Sequence, residues 1–354
     1  MASFDDAGTS AGGSGAGTGG TTPSKSQHRS RFSLPSLSGL SLTGPKDGPV
    51  VASSSSGSTT SGKDGSETAR FSGRANSTIV KLEDDEDDEG KSGMWRGCSA
   101  STFSLRIGPN YSRNKKKGPS ADALMELVGV DLVRAATSRI DLIGSKLALP
   151  PDFLAVSGVE GQETGDPLVP PLFIVNCQVP SEFPTSLFSE VTDGPGWSIV
   201  YYYRMTSSTA DQISNPERAS AAVNLFAKYC REAPELDANP KSIWKGRFKA
   251  MFRTENMDEF GLPSFITAYN AKPVLINKTG TLHRGTGFIE MDINLHRFAT
   301  VAKKGLQVLI PYFEKMRVTA GFTIESVEDS EMPECLFGCG TCVRVNYRLA
   351  PDFA

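Results

Sequence analysis

The sequence predicts an α+β fold: a mainly antiparallel, curved sheet packed with a few helices, preceded by a disordered N-terminal tail. Three observations point to it. Short apolar, β-branched runs recur from residue 101 to the end. Helical periodicity is confined to a few windows between them. The first eighty residues are rich in Ser, Gly and Thr, with hardly an aromatic among them.

The chain has 354 residues, with 37 Lys+Arg, 40 Asp+Glu, 6 Cys and 3 His. Roughly half of the first eighty residues are Ser, Gly or Thr, too little apolar surface to offset the entropy of ordering them. Residues 1–93 therefore read as a tail. Within it, Ser33 and Ser36 follow basic residues, and Arg74-Ala75-Asn76-Ser77 repeats the pattern, so added phosphate would change the tail's partners through charge. Seven acidic residues in a row, 83–89, repel one another and are expected to stay solvated. Large apolar residues begin at Met94-Trp95. The boundary is set there, leaving 94–354 as one domain of ~260 residues, enough for a single core.

Along that domain, residues 101–107 alternate Phe103, Leu105 and Ile107 with polar neighbours, the period of a half-buried strand. Ser120 is a good N-cap for a helix over 121–128, with Leu124, Leu127 and Val128 on one face and Gly129 closing it. Residues 172–179 and 197–203 are β-branched and aromatic, and read as adjacent antiparallel central strands. Pro216 opens an amphipathic helix to 233 with Ala222, Leu225, Phe226 and Tyr229 inward. Residues 247–253, 265–269, 273–278 and 287–294 read as strands, the last two joined by a Gly-rich turn. The longest helix is expected over 295–316, with Phe298, Val301, Ala302, Leu306, Leu309, Ile310 and Phe313 on one face, followed by strands at 319–327 and 342–349.

Charge narrows the function classes. Residues 1–92 hold nine basic and twelve acidic side chains, which leaves 28 of each for the rest. A neutral domain lacks the basic surplus of a duplex-binding protein, so no nucleic acid is expected. No run of 18 apolar residues occurs and the N-terminus carries Asp5 and Asp6, which argues against a spanning helix or a secretory signal. Six cysteines in such a chain read as reduced thiols of a cytoplasmic protein, peripheral on a membrane at most.

The motifs do not assemble an enzyme. Cys335, Cys339 and Cys342 have the C-x3-C-x2-C spacing of an iron–sulfur loop, but only twelve residues follow and no fourth ligand is near. They are weak metal candidates, better read as thiols of a Gly-rich loop. Residues 280–287 lack the lysine of a phosphate-binding loop and read as a turn holding His283. His283 and His296 have no specified nucleophile partner. Glu290 and Asp292 alternate with Ile289, Met291 and Ile293, the pattern of a half-solvated strand face. No catalytic residue and no cofactor are expected.

One basic feature stands out. Arg113, Lys115, Lys116 and Lys117 lie within five residues of one another in a loop. Four cations there can attract an anionic membrane surface, at about 1 kcal/mol per basic residue.

The segments Phe103-Ser-Leu-Arg-Ile-Gly108-Pro-Asn-Tyr111, Lys115-Lys-Lys-Gly-Pro119 and Leu124-Met-Glu-Leu-Val-Gly-Val-Asp131 resemble the opening of the plant Enhanced Disease Resistance 2 C-terminal domain. Later stretches agree in order: Phe173-Ile-Val-Asn176, Arg247-Phe-Lys249, Lys272-Pro273, Phe288-Ile-Glu-Met-Asp292-Ile-Asn294 and Met332-Pro-Glu334-Cys-Leu-Phe-Gly338. The resemblance runs from about residue 95 to 345 and implies one α+β domain in a lipid or membrane context, with no catalytic residues to carry over. Plant relatives place pleckstrin-homology and START domains before it; here the tail stands in their place. The three C-terminal cysteines are not part of the family pattern. A non-catalytic lipid- or membrane-associated module is therefore expected, its partner an anionic lipid or membrane surface met by the basic loop. The alternative is an adaptor that binds protein partners through a phosphorylated tail.

Overall fold

The computed structural model describes residues 72–83, 86–158, 164–183, 191–234, 243–244 and 246–353. The expected disorder of residues 1–71, with Ser33 and Ser36, lies outside the described residues. In chain order the elements are β1 (Val80–Lys81), β2 (Met94–Arg96), β3 (Ser104–Arg106), α1 (Tyr111–Asn114), β4 (Lys117–Pro119), β5 (Met125–Ala135), β6 (Leu172–Pro180), β7 (Gly196–Met205), α2 (Ser207–Ser214), α3 (Ala221–Glu232), β8 (Phe248–Thr254), α4 (Ser264–Thr267), β9 (Val274–Leu275), β10 (Gly280–Gly285), β11 (Phe288–Asn294), α5 (Thr300–Leu309), β12 (Arg317–Ile324) and β13 (Leu336–Val343).

The fold is α+β, as expected, with its strands divided between two main sheets and one small hairpin. One sheet runs β1-β2-β13-β12-β8-β9, the other β10-β11-β6-β7-β5, and β3 pairs with β4 alone. Pairing is antiparallel except β1 with β2 and β11 with β6. The expected neighbours β6 and β7 do pair antiparallel, Val175 facing Tyr201.

Period-two alternation sends Phe173, Val175, Tyr201 and Tyr203 from one sheet toward Phe248, Ala250, Phe322 and Phe337 from the other. Phe173 lies 4.7 Å from Phe337 and 6.3 Å from Phe248, centroid to centroid, and α3 adds Phe226 at 6.1 Å. Each such ring pair contributes about 0.5–1.5 kcal/mol beyond its buried area. The Ser220 hydroxyl, not Pro216, caps α3 by accepting the Val223 N–H. The opposite face of the second sheet buries Leu172, Ile174, Val200 and Tyr202 under Phe153, Ile140 and Ile143.

Several expectations are corrected. Residues 125–135 form β5, not a helix: Leu124, Leu127 and Val128 fit a helical face, but ten of the eleven residues find a partner in β7, with Val128 at a bulge. The 265–269 segment contains α4, a single helical turn. The supposed Gly-rich turn is β10, paired residue for residue with β11. The long helix is shorter, because 295–297 is a separate turn, α5 spans Thr300–Leu309 and Pro311 falls in a closing turn. The last strand is β13, so Cys339 and Cys342 sit in a strand, not a loop.

The packed structure also begins before residue 94. Ala75, Ile79 and Leu82 are buried, and β1 adds to the sheet edge beside β2. Buried Asp131 on β5 holds this segment by accepting the backbone N–H groups of Asn76 (2.5 Å), Ser77 (2.8 Å) and Thr78 (3.0 Å) and the Tyr202 hydroxyl (2.9 Å). The acidic run is not wholly solvated either. Asp88 is only 9% exposed and lies 3.7–3.9 Å from Arg96, Arg317 and Arg344, whose cations replace the water it gives up.

Candidate functional site

The basic residues singled out by the sequence sit on the β3–β4 hairpin. Its strands pair Ser104 with Pro119, Leu105 with Gly118 and Arg106 with Lys117. Phe103 and Leu105 root it, buried against Met251, Leu336 and Cys339 on the outer face of the six-stranded sheet. Between the strands the chain makes α1, ended by Lys115 in the left-handed region at φ 52°, whose N–H bonds the Tyr111 carbonyl. The Asn114 side chain ties the turn by accepting the Lys116 N–H (2.8 Å) and donating to Pro109 O (3.0 Å).

Beneath the tip, Arg106 fixes the hairpin to the body. Its Nε donates to Glu334 Oε1 at 2.9 Å, its Nη2 to Ser326 O at 2.5 Å, and Glu325 lies 3.4 Å away. Lys249 Nζ reaches the same Glu334 oxygen at 2.7 Å. Burial opposes charge on Glu334, but the Arg106 and Lys249 cations outweigh it and hold the carboxyl below its ordinary range. The Asn110 N–H donates to Asp329 Oδ1 at 3.0 Å. The Tyr111 ring lies under two cations, Arg106 Cζ at 5.2 Å and Lys115 Nζ at 5.6 Å.

Arg113, Lys115, Lys116 and Lys117 are all exposed. Among the described residues no carboxylate stands within ion-pair distance of any of the four, whereas Arg106, Arg139, Arg204 and Arg247 are each paired. The sequence brought the four cations together because they are neighbours in the chain. It missed Arg106, Tyr111 and Glu334, which lie up to 228 residues apart in sequence; the only local signal was the aromatic at 111 just before the cluster.

Glu290 and Asp292 prove to be buried, correcting the half-solvated reading. The backbone N–H groups of Leu142, Ile143 and Gly144 donate in succession to Asp292 Oδ2 (2.9 Å), Glu290 Oε1 (2.8 Å) and Glu290 Oε2 (2.8 Å). Asn176 Nδ2 donates to Asp292 Oδ1 at 2.7 Å, and His283 Nε2 on β10 is 2.9 Å from Asp292 Oδ2. Burial, with the Asp292 carboxylate beside it, raises the Glu290 carboxyl well above its ordinary range. Three of the pair's four oxygens accept backbone N–H groups and the fourth accepts the Asn176 amide, which makes the pair a clamp for the 142–144 segment.

The three C-terminal thiols do not converge. Cys335 Sγ contacts Asp122 O at 3.2 Å, Cys339 Sγ contacts Cys98 O at 3.2 Å, and Cys342 Sγ points to the Tyr201 hydroxyl at 3.6 Å. Among the described residues no group of three His, Cys, Asp or Glu is arranged around one metal position. Ser77, one of the expected phosphate acceptors, is tied into the fold: its N–H bonds Asp131 and its hydroxyl donates to Arg74 O at 2.6 Å.

Two pockets of about 10 Å³ each, room for a single water, lie beside Phe226 and Phe337 and beside Trp197 and Tyr347. Neither admits a lipid chain. Among the described residues no helix is long and apolar enough to cross a membrane. A family model described as Protein ENHANCED DISEASE RESISTANCE 2, C-terminal, matches residues 95–347. No curated protein and no solved structure matches the chain.

Proposed function

The chain belongs to the Enhanced Disease Resistance 2 C-terminal family, and we propose that it acts as a non-catalytic module that docks on anionic lipid headgroups through the tip of the β3–β4 hairpin. The observation that carries this reading is the set of four exposed cations, Arg113, Lys115, Lys116 and Lys117, without carboxylate partners among the described residues. A hairpin rooted by Leu105 and by the Arg106–Glu334 pair offers them on a fixed base, so little ordering entropy opposes contact. At about 1 kcal/mol per basic residue, four give ~4 kcal/mol, roughly a thousandfold in partitioning.

Flotation of the full chain with vesicles of neutral lipid, and of neutral lipid plus phosphoinositide, tests the reading. Binding to the second kind alone, lost when Lys115, Lys116 and Lys117 are changed to Ala, is the expected result. Equal partitioning of both proteins onto both vesicles would overturn it.

A further inference from the structure

All six cysteines are free thiols, and two of them face each other. Strands β2 and β13 pair Met94 with Val343, Trp95 with Cys342 and Arg96 with Thr341. Continued for two residues, this antiparallel register sets Cys98 opposite Cys339. Side-chain contact agrees with the register: Cys339 Sγ lies 3.2 Å from the Cys98 carbonyl oxygen, and the adjoining Cys98 thiol, with burial, pushes the Cys339 thiol well above its ordinary pKa. Residues directly opposed on antiparallel strands have Cα atoms about 4.5 or 5.5 Å apart. Both spacings fall within the ~4.4–6.8 Å that a disulfide bridges.

The two thiols differ in access. Cys98 is partly exposed, whereas Cys339 is 4% exposed and packed in the cluster with Phe103 and Leu105. Cys177, Cys230 and Cys342 are buried elsewhere in the main core, and Cys335 is engaged with the Ser120–Asp122 backbone and hydroxyl. A small oxidant thus reaches one sulfur of a pair whose other member waits behind it.

We propose that Cys98 and Cys339 are a peroxide-sensitive thiol pair that closes to a cross-strand disulfide. Hydrogen peroxide is the oxidant. The Cys98 sulfur attacks one peroxide oxygen, the O–O bond breaks, and a sulfenic acid and one water result. The Cys339 sulfur then attacks the Cys98 sulfur, displacing the hydroxyl as a second water as its own proton leaves. Two thiols lose two electrons to one peroxide, and a dithiol reductant reverses the change. The bond would tie β2 to β13 across ~240 residues of chain, a closure of the kind that stabilises the folded state chiefly by restricting the unfolded one.

The test uses the purified full chain, treated with hydrogen peroxide, quenched with catalase, alkylated and digested with trypsin without reductant. The expected product is a disulfide joining the peptide that begins at Gly97 to the one that begins at Val318. Because Cys335, Cys339 and Cys342 share that second peptide, fragmentation spectra of the wild-type product must place the bond at Cys339. Cys339→Ala and Cys98→Ala should abolish it, while Cys335→Ala leaves it. Oxidised protein should melt at a higher temperature than reduced protein, with the difference erased by dithiothreitol. A bond placed at Cys335 or Cys342, or six alkylated cysteines after treatment, would overturn the proposal. Neither result depends on whether the hairpin binds lipid.

Discussion

The Thr78 hydroxyl donates to Asp131 Oδ1 at 2.9 Å and accepts the Leu132 N–H at 2.7 Å, so one side chain stitches the segment before β1 to the edge strand β5. With the three backbone donors and the Tyr202 hydroxyl, Asp131 satisfies five groups. Asp131→Ala leaves the buried Tyr202 hydroxyl and four partly buried donors of Asn76, Ser77 and Thr78 without their acceptor, and each unsatisfied buried group costs about 1–3 kcal/mol. Urea unfolding should show a loss of at least ~3 kcal/mol, with new proteolytic cuts between residues 72 and 93. A loss below ~1 kcal/mol would mean water replaces the carboxylate without penalty.

The same geometry separates two truncations. A chain starting at residue 72 keeps Ala75, Ile79 and Leu82 in their buried sites, while one starting at Trp95 loses them and should melt lower than the first or aggregate. Equal melting of the two by circular dichroism would show that the early segment only decorates the fold.

Glu290 gives a pH dependence with a definite sign. Its carboxyl is raised above its ordinary value of 4.5, chiefly by burial and then by Asp292, so the folded chain holds a proton that the unfolded chain has released. This group's contribution is full below that ordinary value and declines as pH rises toward the raised one. Relative to Glu290→Gln, the wild-type melting temperature should fall as pH climbs from 4.5. Parallel curves for the two proteins would count against a protonated Glu290.

Glu334 predicts the opposite slope. Its carboxyl is lowered despite burial, because Arg106 and Lys249 lie against it. Its stabilisation is present above the ordinary value and is lost as pH falls through the lowered one. Glu334→Gln leaves buried Lys249 and partly buried Arg106 with Glu325 as their one remaining carboxylate, a loss of about 3 kcal/mol or less at neutral pH. Acid titration followed by fluorescence should show a steeper low-pH loss in the wild type than in the variant.

Salt provides a check on the hairpin that needs no mutation. Contacts made by exposed cations are screened within ~10 Å at 0.1 M ionic strength and ~3 Å at 1 M. Binding to anionic vesicles should therefore weaken severalfold over that range. Salt-independent binding would point to apolar insertion in place of headgroup contact.

Comparing particular elements shows what local pattern can and cannot reveal. β6, β7, β8 and β12 were legible because β-branched and aromatic runs state their period within a few residues. β5 was not, since Leu124, Leu127 and Val128 satisfy a helical spacing equally well and the deciding partner, Tyr201 to Tyr203, lies some seventy residues on. The Glu290–Asp292 alternation correctly marked a strand, yet the wrong environment was inferred because an irregular segment at 140–144 covers that face. In the candidate site, the four cations were visible as neighbours in the chain. Their foundation was not, because Arg106, Lys249 and Glu334 meet only after folding.

The position of β2 has a consequence for synthesis. Trp95 is nearly wholly buried, and its strand partner is Cys342, which leaves the ribosome after ~250 further residues, many seconds later at the usual elongation rate. Until β13 arrives, β2 has only the two-residue strand β1 to pair with, and the six-stranded sheet lacks its middle. The six-stranded sheet is therefore closed late in synthesis, after every strand of the five-stranded sheet has been made.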